Sequence, residues 1–519
     1  MGLKRKLYSP AAAALSLALA LGACSNAAND SSSASGSPAS ASSGSEAVSF
    51  SMLYNDNPSY PFNQNWPVLK EIEARAKVHL DIQAVPNSDY LSKARIVLSS
   101  GTIPDLVTTI DQQTLMEYAP SGVLLPISDY MDKLPHLKQK IEEYGIEDEL
   151  DNWKPRDGKL YILPFMNEAA LYNRAPLIRT DLIDKYGLAA PTNVDELYTV
   201  LKTFKEKEGS GYPLANTDAN SLLGIFGAAW GIEPSYNGFM FNEETGKFEY
   251  AYASDRFKAY LTYLNRLVSE GLADPEIFTS SLDQWKQKLA SGQSSFSFYW
   301  ISELGQLNED GKKNVSPDFQ LSPLPPIAGP AGKLAYAANR IYHGTVIPAS
   351  AAKEPYFDKL LAFVDWLYSD EGNELMTWGI EGDTFTKKDD GNAFTEKATG
   401  SASLQKTLWD IGASNNNYTM LFPYKWFVQV LGAKEIETLT QQAQDGGWFP
   451  QVAKVPKLAP EKKEEENLAL TSVKDYFAKM QEQFVYGKAS LDTQWDSYVE
   501  EIGAKGVDKL LALYNDSLK

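Results

Sequence analysis

The sequence is poor in the residues that cross-link chains and hold transition metals. Its 519 residues include one cysteine and three histidines. A lone cysteine forms no intramolecular disulfide. His79, His136 and His343 are scattered, which argues against direct metal capture by His and Cys. His79 reads as a strand residue and His136 as a helix-start residue, both structural. The motifs G-x-S-x-G, H-E-x-x-H and the P-loop are missing, so no catalytic apparatus or cofactor is expected. Positive charge is also in deficit, with 48 Lys and Arg against 67 Asp and Glu and a net charge of −19. Nucleic-acid partners need a basic surface, and this balance argues against them.

What is present begins with a charged and then apolar N-terminus. Lys4, Arg5 and Lys6 precede an apolar run from Ala11 to Leu21. That run is shorter than the roughly 20 residues that span a bilayer, and it reads as a signal peptide over 1–23. It leads into Leu21-Gly22-Ala23-Cys24, which resembles the lipobox of bacterial lipoproteins. The resemblance implies acylation of Cys24 and anchoring at the outer face of the cell membrane, where two acyl chains hold stably. Residues 24–47 are almost entirely Ser, Ala, Gly, Asn, Asp and Pro and read as a flexible tether. No later stretch is apolar enough to span a membrane.

Beyond the tether, strand and helix patterns alternate. Phe50, Met52 and Tyr54 alternate with Ser51 and Leu53, predicting a strand. Val68, Leu69, Ile72 and Ala76 form a helical stripe. Leu80 and Ile82 suggest a second strand, and Tyr90, Ala94, Val97 and Leu98 a second helix stopped by Gly101. A third strand falls at 105–110. This βαβαβ order implies a parallel sheet with right-handed crossovers, and its ligand-facing end holds Asn55, Asp56 and Asp111. Asn193 with Glu196, and Ser254, look like helix caps. Phe296, Phe298 and Trp300 mark a strand ending in an aromatic. Two such α/β segments suggest two lobes.

Several ordered motifs then carry a family resemblance. They are SGTIPDL (100–106), GVLLPISDY (122–130), DGKLYILP (157–164), GLADP (271–275), FVDWLYSDEG (363–372) and WGIEG (378–382). In this order they resemble the extracellular solute-binding proteins of carbohydrate ABC transporters. The resemblance implies an α/β, two-lobed periplasmic-binding-protein-like fold with a hinge and a ligand crevice between lobes. Lobe one would hold 48–164 and 340–400. Lobe two would hold 165–339 and 401–519. The partners implied are an oligosaccharide ligand and the transmembrane subunits of an ABC permease, with the binding protein a monomer and not an enzyme.

A pyranose ring has an apolar face for aromatic stacking and a hydroxyl rim for carboxylates, amides and arginine. Among eleven tryptophans, Trp230, Trp300 and Trp426 resemble the family's stacking segments, and Trp378 is a further candidate. Asp111 and Glu168 resemble its hydroxyl-binding acids. Asn55 and Arg340 complete the expected ligand set, although Arg340 could pair across the hinge instead. Longer members of the family carry a calcium loop after the lobe-two helix. Here residues 205–213 lack the spaced oxygen ligands calcium needs, so no metal is expected. The alternatives are a lipid-anchored glycoside hydrolase, which needs two carboxylates facing one cleft, and a peptide-binding lipoprotein.

Overall fold

The apolar alternation near residue 50 folds as β1 (Val48–Asp56), with Phe50, Leu53 and Tyr54 fully buried. α1 (Pro67–Ala76) buries Val68 and Ile72 and returns the chain to β2 (Val78–Pro86). α2 (Asn87–Ser99) buries Tyr90, Ala94, Val97 and Leu98. Gly101 then takes a left-handed φ of 76°, which suits glycine and turns the chain into β3 (Leu106–Ile110). β1 lies between β2 and β3 and is parallel to both, as the βαβαβ pattern predicts.

The computed structural model describes residues 47–518 apart from 59, 210, 218–220, 233–234, 337–338, 390, 401–402 and 432–433. The expected signal peptide, Cys24 and the tether up to residue 46 lie outside the described residues. Among the described residues no helix is long and apolar enough to cross a membrane.

In the first sheet β2, β1 and β3 are followed by the short strands Gly344–Val346 and Leu163–Pro164, in that order. β4 (Leu163–Pro164) and β11 (Gly344–Val346) bring in chain from either side of the second lobe, and β11 runs antiparallel to both of its neighbours. The second sheet has the order β10-β6-β9, built from β6 (Arg174–Arg179), β9 (Phe296–Trp300) and β10 (Leu321–Pro323), all antiparallel. Both of its faces are covered. Ile178, Phe296 and Phe298 enter the main second core, while Ala175, Leu177 and Leu321 pack into a smaller core around Trp285. Trp285 donates its indole N–H to Ser297 at 2.9 Å, so a serine on the strand is buried but satisfied.

The sequence reading puts 401–519 in lobe two, but residues 403–427 pack with the first core. Leu408, Tyr418, Leu421, Phe422 and Trp426 belong to the first core, with β1 and α1. Asn417 explains the attachment. Its amide spans the Asn55 backbone, accepting from the N–H at 2.8 Å and donating to the carbonyl at 3.1 Å, and it accepts from the Thr108 hydroxyl at 2.6 Å. A short strand, Leu421–Phe422, pairs in parallel with β5 (Met166–Asn167). Only beyond this does the chain rejoin the second lobe, where Ile436, Leu439 and Ala443 pack in the core around Trp285.

Candidate functional site

A cavity of about 870 Å³ lies where the walls of the two cores face each other. One wall comes from the C-terminal end of β3 and the segment that follows the helix Glu147–Asp151. It contributes Asp111, Gln112, Asn152 and Trp153. The opposite wall comes from the second sheet and the chain beside it, with Arg174, Tyr299, Trp300 and Tyr336. The return crossing adds Arg340 and Tyr342.

A coil over 449–455 closes one side. It leaves the second lobe and is tied to the first. Asn152 donates to the Ala453 carbonyl at 2.8 Å and accepts from the Val455 N–H at 3.3 Å. Lys457 pairs with Asp151 at 2.7 Å, while Lys454 pairs with Glu243 of the second lobe.

Of the residues expected from the sequence, Asp111, Trp300 and Arg340 line this cavity. Asp111 caps the helix Gln112–Tyr118, accepting from the Thr114 N–H at 2.6 Å. Trp300 stands opposite Arg174 in the β6–β9 pairing. Arg340 is committed to structure. It pairs with Glu149 at 2.5 Å and donates to the Tyr144 and Gly145 carbonyls, which end the helix Pro135–Tyr144. Its donors are therefore spent on the hinge side.

The other five expected residues do not line the cavity. Trp230 is 4% exposed and lies edge-on to Phe226, and Trp426 is 3% exposed with its N–H on the Thr377 carbonyl. Trp378 is buried beside Phe394. These three tryptophans fill cores and do not face this cavity. Glu168 is exposed and accepts from the Tyr424 N–H at 2.6 Å, at the start of the helix Tyr424–Leu431. Asn55 is tied by its backbone to Asn417. Conversely, Arg174, Trp153, Tyr299, Tyr336 and the 449–455 coil escaped the sequence reading. Trp153 and Tyr336 sit in stretches with no motif, and only their aromatic character could have flagged them.

Two titratable groups at the crossing are perturbed by burial. The Tyr342 phenol is pushed up to about 12, so it stays protonated. His343 is pulled down to about 4. Elsewhere, at the end of the helix Val194–Glu208, the Lys205 ammonium donates to the Gly211 carbonyl at 2.8 Å. A calcium ion taking that carbonyl would meet the ammonium, so Lys205 and Gly211 do not fit the metal. Among the described residues no group of three or more His, Cys, Asp or Glu side chains converges.

The sequence profile of the bacterial extracellular solute-binding proteins matches residues 61–374. The chain belongs to this family. Among solute-binding relatives, the polygalacturonan/rhamnogalacturonan-binding protein YtcQ of Bacillus subtilis is 27% identical over 332 residues, covering 62% of this chain and 64% of that protein. The fructooligosaccharide ABC transporter substrate-binding protein FusA of Streptococcus pneumoniae is 26% identical over 352 residues, covering 64% and 63%. The matched part is thus less than two thirds of either relative's length. The structure of the alginate-binding protein AlgQ2 without calcium ion superposes with a TM-score of 0.73 at 22% identity, covering 91% of this chain and 98% of that one. That likeness shows the two-lobed solute-binding fold.

Proposed function

We propose that this chain is the ligand-capturing component of an ABC importer for oligosaccharides, held to the outer face of the cell membrane through lipid on Cys24 and acting as a monomer. The observation that carries the ligand class is the cavity wall. Trp300, Tyr299 and Tyr336 offer aromatic surface beside the polar Asp111, Asn152 and Arg174. Aromatic faces cover the C–H face of a pyranose, and the polar groups suit its hydroxyl rim. The volume stands near the top of the roughly 300–1,000 Å³ range of small-molecule sites, leaving room for more than one ring. The names of YtcQ and FusA support a glycan and a transporter. Of the residues expected from sequence, Asp111 and Trp300 are retained as ligand contacts.

A thermal-shift screen over oligosaccharides and short peptides tests the reading. A true ligand at 100 times its dissociation constant adds about 2.7 kcal/mol of stability. Stabilisation by peptides and by no glycan would overturn it. Anchoring is tested separately by membrane fractionation of Cys24→Ser. The variant is expected in the soluble fraction with ligand affinity unchanged, and its retention in the membrane pellet would exclude lipid at Cys24.

A further inference from the structure

Four charged side chains line the cavity: Asp111, Glu149, Arg174 and Arg340. Glu149 and Arg340 neutralise each other. Asp111 accepts from the Thr114 N–H of the helix it caps. Arg174 has no such partner. Among the described residues no carboxylate lies within ion-pair distance of it, and its Nε is shut from water without a hydrogen-bond acceptor. Tyr342 does not supply the missing anion, because it stays protonated at neutral pH.

Aromatic rings occupy the places where a carboxylate would be expected. The Arg174 guanidinium carbon lies 3.9 Å from the Trp300 ring centroid and 4.8 Å from that of Tyr336. Stacking suits the flat guanidinium and covers its face, while its in-plane N–H groups keep their hydrogen-bonding capacity. The rings also strip water from the cation, so a neighbouring anion is felt more strongly than it would be in bulk solvent. A guanidinium held this way matches a carboxylate, which accepts two parallel N–H bonds.

We infer that Arg174, stacked on Trp300 and Tyr336, is a carboxylate-binding subsite, and that the solute is an oligosaccharide containing uronic acid. The same rings that hold the cation would lie against the sugar whose carboxylate it binds. This inference rests on the oligosaccharide reading and narrows it.

Calorimetry on the full chain tests it with short oligogalacturonides, oligomannuronates, a sulfated neutral oligosaccharide and maltotriose, each at low and high salt. At least one uronate is expected to bind tighter than the sulfated and neutral probes, with affinity falling as salt rises. Arg174→Gln is expected to weaken that uronate by roughly ten- to a hundredfold, as loss of a charged hydrogen-bonded pair does. It should weaken maltotriose several-fold less than it weakens that uronate, and a melting curve checks that the variant is folded. Tighter binding of maltotriose or the sulfated sugar would overturn the carboxylate subsite while leaving the oligosaccharide reading intact. An equal loss for acidic and neutral ligands in Arg174→Gln would reduce Arg174 to a support for Trp300. Failure of every sugar to bind would overturn both readings.

Discussion

Asn152 of the first lobe holds the Ala453 carbonyl at 2.8 Å and receives the Val455 N–H at 3.3 Å, fastening a coil that comes from the second lobe. The bond pair fixes one side of the cavity across the lobe boundary. Asn152→Ala should release residues 453–455 at little cost to the cores. Each neutral hydrogen bond contributes about 1 kcal/mol, so ligand dissociation should quicken by roughly tenfold. Stopped-flow dissociation and hydrogen exchange over 449–458 measure this. Unchanged protection of that coil would show that other contacts hold it.

Trp300 and Trp426 should respond oppositely to the same change. Trp300→Ala removes a half-buried ring from the cavity wall, with an expected affinity loss of roughly ten- to a hundredfold from about 1.5–3 kcal/mol of burial. Trp426→Ala opens a hole in the first core and should cost about 3–5 kcal/mol of stability with affinity of the folded protein intact. Melts and calorimetry on both variants decide. A large stability loss in Trp300→Ala with normal affinity would make it a core residue as well.

The Arg340–Glu149 pair is about 15% exposed on each side and is joined to two helix-end carbonyls. Arg340→Met strands the Glu149 carboxylate and should cost on the order of 3 kcal/mol in urea unfolding. Adding Glu149→Met should recover much of that cost, since the stranded charge is gone. Additive losses in the double variant would show that the two side chains are not energetically coupled.

His343 gives a pH signature. Its ring packs on Phe165, with its Nδ1 sealed from water and unpartnered among the described residues. Burial lowers its pKa from 6.5 to about 4, so between these values an unfolded chain binds a proton that the folded one refuses. Its contribution to stability is therefore complete above about pH 6.5 and is lost progressively as pH falls towards about 4. Melting curves across that window should show His343→Gln losing less stability on acidification than the parent. Parallel acid slopes would refute the assignment.

Periodicity carried the first lobe well. The stripes at 68–76 and 90–98 each had to bury one face, and alternation near Phe50 left a strand as the economical reading. The tryptophans show where such reasoning stops. A tryptophan in a glycine-rich stretch or after a helix has the same local pattern whether it points into a core, as Trp230 and Trp378 do, or into a cleft, as Trp300 does. The difference depends on partners far away in sequence. Arg174 was invisible for the same reason, because its meaning depends on Trp300 and Tyr336 and on the lack of a nearby acid. The packing of the segment around Tyr418 is likewise illegible locally, because its attachment runs through Asn417 to a strand 362 residues earlier.

The second core has a consequence for the order in which the chain can fold. Trp495, Tyr498, Leu510 and Tyr514 pack there against residues from 178 onward, and the Tyr498 hydroxyl donates to the Tyr252 carbonyl across 246 residues of chain. Until residue 514 has been made, Phe239, Phe248 and Tyr252 lack the partners that cover them. The first lobe, by contrast, is complete by about Trp426. A nascent chain thus carries one finished lobe and one open hydrophobic face for nearly 90 residues of synthesis, a stretch in which chaperones would find their target.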